Sequence, residues 1–364
     1  GQPLALPTAP PPTRNGFVVE TTLTPGGAAA GCGNAKVVDG EVSWKIRGKT
    51  GDGSQGTLPI TATANGTMAS ATLPTQPAGT VLQYQMRIAL DDGTTLRFPD
   101  NAADPFYEFY VGDATPIWCA EFEGADAPAV TMTGDWMTGK PMGPGAGNVG
   151  GDPAAAFGGT GVLGNNLQGG GLHAPGATAI ATLPSVALAG YRNVRLQFRR
   201  WLNVDDASFD QASVRINGAA AFANPARNAT SELEKFLVAP RVFRDREWRE
   251  VDFDLGDPAS GLDTSKISLE LKSDSSNELG GWNVDHLCIV GVASVCGDGI
   301  VDATEACDDG NTLDDEQCMA TCQLPAQADG GCCSATGSGA TGPALLAFAT
   351  LGFVGLSARR RRQR

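Results

Sequence analysis

Strict alternation of apolar and polar residues governs the second half of the chain. Val194, Leu196 and Phe198 share one parity, and Arg195, Gln197, Arg199 and Trp201 share the other. That is the pattern of a strand buried on one face and wet on the other. It recurs in Val214 and Ile216 against Arg215 and Asn217, and in Val251, Phe253 and Leu255 against Glu250, Asp252 and Asp254. A fourth case is Ile267, Leu269 and Leu271 against Ser268 and Glu270. Such strands predict antiparallel sheets, each with one solvated face. Composition agrees: 48 Gly, 23 Pro and 18% charged residues in 364 favour turn-rich β-sandwiches or barrels over helical bundles. The expected fold class is mostly β.

The first domain is expected over residues 15–115, after a Pro-rich linker (1–14) that contains Pro7, Pro10, Pro11 and Pro12. Short β-type runs cover Phe17 to Thr22, Lys36 to Ile46, Leu58 to Thr63, Thr67 to Leu73, Val81 to Leu90 and Phe106 to Val111. Gly, Pro and Asp-Gly turns separate them, and Asp91-Asp92-Gly93-Thr94 predicts a hairpin connection. Strands of this number in about a hundred residues predict an immunoglobulin-like or fibronectin-III-like sandwich. No basic-then-apolar leader opens the chain. Either a signal peptide has been removed or a further domain lies upstream of Gly1.

Residues 116–292 form the largest unit. It opens with Ile117-Trp118-Cys119-Ala120-Glu121-Phe122-Glu123-Gly124, carries Leu163-Gly164-Asn165-Asn166-Leu167-Gln168-Gly169, and ends with Gly280-Gly281-Trp282-Asn283-Val284-Asp285-His286-Leu287-Cys288-Ile289. These motifs, in this order, resemble the MAM-like and carbohydrate-module-like jelly rolls appended to secreted bacterial peptidases. The stretch from Gly79 to Asn101 resembles the spacer sandwiches of the same proteins. A jelly roll can lay its terminal strands side by side, so the resemblance implies a Cys119–Cys288 disulfide, with Cys32 unpaired or joined elsewhere. It also implies a structural calcium ion near Glu121, Glu123 and Asp285; ordinary strand-edge charge is the alternative.

Residues 293–324 hold Cys296, Cys307, Cys318 and Cys322 among many acidic residues. So short a segment cannot bury a sufficient core, and two disulfides are expected to staple it. Zinc prefers closer pairs, a spacing that only Cys318 and Cys322 meet. Hard oxygen ligands at Asp308, Asp309, Asn311 and Asp314 suit calcium, with a solvated acidic loop as the alternative. Cys296-Gly297-Asp298-Gly299 and Glu305-Ala306-Cys307-Asp308-Asp309-Gly310-Asn311 resemble the Myxococcus cysteine-rich repeat. Glu316-Gln317 departs from that family's usual Asp and Gly, which loosens the turn near Cys318.

A Gly/Ala/Ser tether (325–340) leads to an apolar run from Thr341 to Ala358 and an arginine cluster, Arg359, Arg360, Arg361, Arg362 and Arg364. At about 1.5 Å per residue the run spans roughly 27 Å, enough for a transmembrane helix. Arginines on one flank put the end (359–364) in the cytoplasm and the rest of the chain outside. With Cys332 and Cys333 just upstream, the tail resembles the myxobacterial sorting signal written MYXO-CTERM. The resemblance implies processing and lipid attachment at one of those two cysteines. The expected location is the cell envelope or surface, with the envelope membrane as a partner. Nine cysteines fit such an oxidising compartment.

A net charge of −14 argues against a nucleic-acid partner. Catalysis lacks a constellation: the only histidines are His173 and His286, with no His-Glu-x-x-His and no Gly-x-Ser-x-Gly. A carboxylate-only glycosidase needs no histidine, so this speaks against most enzyme classes but not all. The glycine-rich stretch Gly143 to Gly176 reads as a long surface loop. Trp201 shares a polar face with Arg195, Gln197 and Arg199, and Trp248 with Glu250, Asp252 and Asp254. Aromatics so placed stack a sugar ring or grip a protein partner; packing under a loop is the alternative. Trp201, Trp248 and Arg199 are therefore the expected ligand contacts. The function expected is non-catalytic adhesion or substrate binding at the cell surface, with a glycan or protein ligand and calcium as a structural ion. The alternative is a C-terminal accessory region of a secreted metallopeptidase of the zinc carboxypeptidase type, its catalytic domain upstream of Gly1.

Overall fold

The structure is a computed structural model. It describes residues 17–22, 36–62, 68–124, 130–144, 150–168, 170–227, 242–256, 258, 261–302, 305–314 and 318–325. The expected linker (1–14), Cys32, most of the tether, the 341–358 segment, the arginine cluster, Cys332 and Cys333 lie outside the described residues. Among those described, no helix is long and apolar enough to cross a membrane.

The described chain is mostly β and has two apolar cores. One sheet of the first sandwich runs β1 (Phe17–Thr22), β5 (Met68–Leu73) and β4 (Thr61–Ala62), in that order. Its partner runs β3 (Gln55–Pro59), β2 (Val37–Ile46), β6 (Thr80–Leu90) and β7 (Thr95–Phe98). β8 (Tyr107–Val111) shares β7's edge of β6, pairing Thr80–Tyr84 while β7 pairs Met86–Ala89. Alternation in β6 sends Leu82, Tyr84, Met86 and Ile88 into the core. The expected hairpin is present: Gly93, at φ 85°, donates its N–H to Leu90 O, and Leu90 N–H bonds Thr94 O. A positive φ of this kind is what glycine supplies to a tight turn.

The second sandwich pairs a five-stranded with a seven-stranded sheet. The first of these is β10 (Thr131–Thr133), β13 (Thr178–Thr182), β19 (Ile267–Lys272), β15 (Gln211–Ile216) and β16 (Ala219–Ala223). In the other, β11 (Trp136–Gly139), β12 (Val162–Asn165), β20 (Gly281–Ala293), β14 (Tyr191–Val204) and β17 (Phe243–Arg244) follow in order. β9 (Thr115–Ala120) adds to β20, and β18 (Arg249–Gly256) to β14. The inward parity of the four alternating segments fills the core: Leu196, Phe198, Val214, Val251, Ile267, Leu269 and Leu271 are buried there with Trp282. Each such side chain stabilises the fold by about 1.5–3 kcal/mol through burial.

One expectation is corrected. The outer face of β14 and β18 is wet only in part: Arg195, Arg199 and Asp252 are buried, while Asp254 stays exposed. The first sandwich packs over that face, and its charges complement the ones it covers. Arg47 donates to Asp252 O (2.7 Å) and pairs with Glu108 (3.1 Å). Arg249 donates to the backbone oxygens of Asp104 and Phe106, and Tyr107 Oη donates to Glu247 (2.5 Å). Buried ions persist because each has a partner of opposite sign or a hydrogen bond. The five-stranded sheet does keep Arg215, Ser268 and Glu270 partly in solvent.

Cys119 lies directly opposite Cys288 across β9 and β20, and the two are bonded (Cα–Cα 4.1 Å). In the small module Cys296 joins Cys322 and Cys307 joins Cys318. Arg192 at the head of β14 ties that module to the sandwich through Asp298 (2.8 Å) and Asp302 (2.6 Å).

Candidate functional site

A cleft of about 450 Å³ opens at the seam of the two sandwiches, lined by Tyr110 and Asp113 on one side and by Phe157, Gln197, Arg199, Glu250 and His286 on the other. Its floor is the polar parity of β14 and β18, where Arg199 stands opposite Glu250 and Gln197 opposite Asp252. Arg199 Nη1 lies 3.1 Å from Glu250 Oε2, and its guanidinium sits 4.4 Å above the Phe157 ring. A cation over an aromatic face is attracted by the ring quadrupole. Burial raises the Glu250 carboxyl above the usual carboxylate range, and Arg199 opposes the shift. The Tyr110 wall comes from the end of β8, where Gly112 turns the chain at φ 137° with the Tyr110 ring 3.2 Å from the position of an added Cβ. A larger residue there would push the ring.

The opposite lip is the 150–161 segment, which four side chains on or beside the sheet pin down. Trp201 Nε1 donates to Gly151 O (3.3 Å) and Trp248 Nε1 to Ala155 O (3.1 Å). Asp285 Oδ2 accepts the N–H groups of Phe157 (2.9 Å) and Gly158 (3.0 Å). Glu123 accepts from Thr160 N (2.7 Å), Thr160 Oγ1 (3.0 Å) and Gly161 N (2.8 Å). These bonds hold Glu123 below its ordinary pKa, whereas burial raises Asp285 against its hydrogen bonds.

His286 reaches the cleft through a β-bulge. Gln197 pairs with Cys288 but Arg199 pairs with Asp285, so two residues of β20 face one of β14. His286 takes φ 49°, and Leu287 turns fully into the core. A bulge of this kind re-aims a side chain. The imidazole meets the Phe157 ring edge-on at 5.5 Å, and its Nδ1 contacts Glu121 Oε2.

The expected residues divide accordingly. Of the ligand contacts, Arg199 lies in the cleft. Trp201 and Trp248 meet edge-to-face at 6.1 Å, half-buried, and their indole N–H groups anchor the lip. Among the carboxylates assigned to a cation, Glu121 and Asp285 come together, joined by His286, while Glu123 is turned to the lip. The acidic-module residues accept from nearby backbone N–H groups. Asp308 accepts N–H groups from Gly297, Asp298, Gly299 and Gly310, and those bonds lower its pKa. Asp309 accepts from Asn311, Asn311 from Leu313, and Asp314 from Ala320.

Sequence reasoning missed Tyr110, Phe157, Glu250 and His286 as cleft residues. Phe157 lies in a glycine-rich stretch without periodicity, and Tyr110 belongs to the other sandwich. No local signal joins them. His173, the second histidine, is packed away 3.3 Å from the Asp210 carboxylate, both side chains fully buried.

A family model described as a domain of unknown function, DUF4215, matches residues 279–323, from the head of β20 through the small cysteine module. Comparison with curated proteins finds no match. Among solved structures, a crystal structure with xylogluco-oligosaccharide is similar at 14% identity and a TM-score of 0.28, over 76% of this chain. The chain spans 55% of that protein's length. A crystal structure of domains CD (residues 230–489) of another protein is 13% identical with a TM-score of 0.29, over 76% of this chain and 94% of that one. Similarity this low specifies neither a shared fold nor a ligand.

Proposed function

We propose that the protein is a non-catalytic binding protein of the cell envelope whose ligand, a short oligosaccharide, sits in the seam cleft. The observation that carries this reading is the cleft itself: the Phe157 ring and the largely buried Tyr110 ring, beside planar hydrogen-bonding groups on Gln197, Arg199 and Glu250. Sugar rings offer apolar C–H faces and a rim of hydroxyls, which aromatic faces and amide, guanidinium and carboxylate groups recognise together. The Arg199–Glu250 pair and the hydrogen bond from Gln197 Nε2 to Asp252 (2.8 Å) hold these groups in place on the floor. Envelope attachment rests on the tail's apolar run, arginine cluster and paired cysteines, and an oxidising location accords with the three disulfides.

Phe157→Ala tests the ligand site. It removes one aromatic wall but none of the sheet, so affinity for a bound oligosaccharide should fall about tenfold or more while the fold's circular dichroism stays unchanged. Unchanged affinity would move the site elsewhere.

A further inference from the structure

Glu121, Asp285 and His286 make a compact nitrogen-and-oxygen donor set at the rim of the cleft, and we propose that it binds one divalent transition-metal ion, zinc in particular. One ligand atom from each lies within 4.8 Å of the other two. His286 Nδ1 contacts Glu121 Oε2 and lies 3.9 Å from Asp285 Oδ1. An ion about 2.0–2.2 Å from each donor fits that triangle after small side-chain adjustments.

Rigid elements deliver the three groups. The Cys119–Cys288 disulfide locks β9 against β20 two residues from both Glu121 and His286. The bulge aims the imidazole, and the Phe157 ring edge supports it. Asp285 is fully buried and oriented by the N–H groups of Phe157, Gly158 and His286. Supports of this sort around the ligands are what a metal site needs to hold its geometry.

The donor chemistry selects the ion. Calcium takes six to eight oxygens, whereas this set has one imidazole nitrogen and two carboxylates. Glu123 is turned to Thr160 and Gly161 and does not join the set. Imidazole with carboxylate suits zinc, and three protein ligands leave a fourth position open. Glu121 and His286 are both exposed at the mouth, so water or a ligand group can fill that position. The site stands whether or not the cleft takes a sugar.

Zinc chloride alone, titrated into the whole chain by calorimetry and followed through the two histidine imidazoles by NMR, tests the site. His286 signals should shift saturably with one equivalent while those of buried His173 stay in place. His286→Asn, which tolerates the positive φ, and Glu121→Gln should each weaken that binding by about tenfold or more. A plain Glu121–His286 ion pair predicts no shift at His286, and that result would overturn the proposal. So would zinc affinity unchanged in both variants.

Discussion

Arg200 and Asp245 form a buried ion pair at the seam of the two sandwiches, with Arg200 Nε 2.9 Å from Asp245 Oδ2 and side chains 4% and 0% exposed. The same carboxylate accepts the Leu202 N–H (2.9 Å) and the Asn101 side-chain amide (2.9 Å), while Asp104 shares the guanidinium (2.6 Å). Asn101 and Asp104 precede β8, so one network ties both units. Asp245→Ala would leave the buried Arg200 cation with Asp104 as its remaining carboxylate and two donors without their acceptor. It should lower unfolding free energy by about 3–5 kcal/mol. Guanidinium denaturation followed by Trp fluorescence measures the loss, and a change below about 1 kcal/mol would mean that the seam contributes little.

Asp152 gives the fold a pH dependence. Burial pushes its carboxyl up to about 6 although Met142 N–H and the Asn283 amide donate to it. The folded pKa lies above the unfolded value near 3.9, so the folded state keeps a proton that the unfolded chain releases. Its stabilising contribution is complete below about pH 4 and is lost as pH rises through about 6, by about 3 kcal/mol. Thermal unfolding of wild type and Asp152→Asn between pH 4 and 7 reads this directly. Wild type should lose stability relative to the variant across that window; parallel profiles would contradict the assignment.

The Cys119–Cys288 bond closes a sequence separation of 169 residues. Chain-entropy arithmetic for a loop of that length gives about 5 kcal/mol. Cys119→Ala with Cys288→Ala should shift the denaturation midpoint accordingly, and peptide mapping of the non-reduced wild-type protein should recover Cys119–Cys288, Cys296–Cys322 and Cys307–Cys318.

Arg192→Ala should free the small cysteine module from the sandwich, because both of its carboxylate contacts come from Asp298 and Asp302. Hydrogen exchange over 296–311 is the measurement, with faster exchange expected there and none in β14 beyond its first residues.

Much of this architecture could be read in the sequence, and each failure has a physical cause. Val194, Leu196 and Phe198 declare an inward face through period-2 spacing, and a strand needs nothing further to reveal it. Arg195, Arg199 and Asp252 alternate with them in the same way whether their face meets water or a second set of charges. The partner that buries Asp252 is Arg47, 205 residues away. His286 was illegible for a different reason: a bulge breaks the alternation that would have assigned its direction. Trp201 and Trp248 declare their outward parity, but the segment they anchor carries no pattern that announces the contact.

The cleft's role as an oligosaccharide site is tested most directly by a glycan array probed in parallel with the wild-type protein and the Tyr110→Ala/Phe157→Ala double variant. Wild type should retain at least one oligosaccharide that the folded double variant does not. Retention of every hit by the variant, or no hit with wild type, would contradict it.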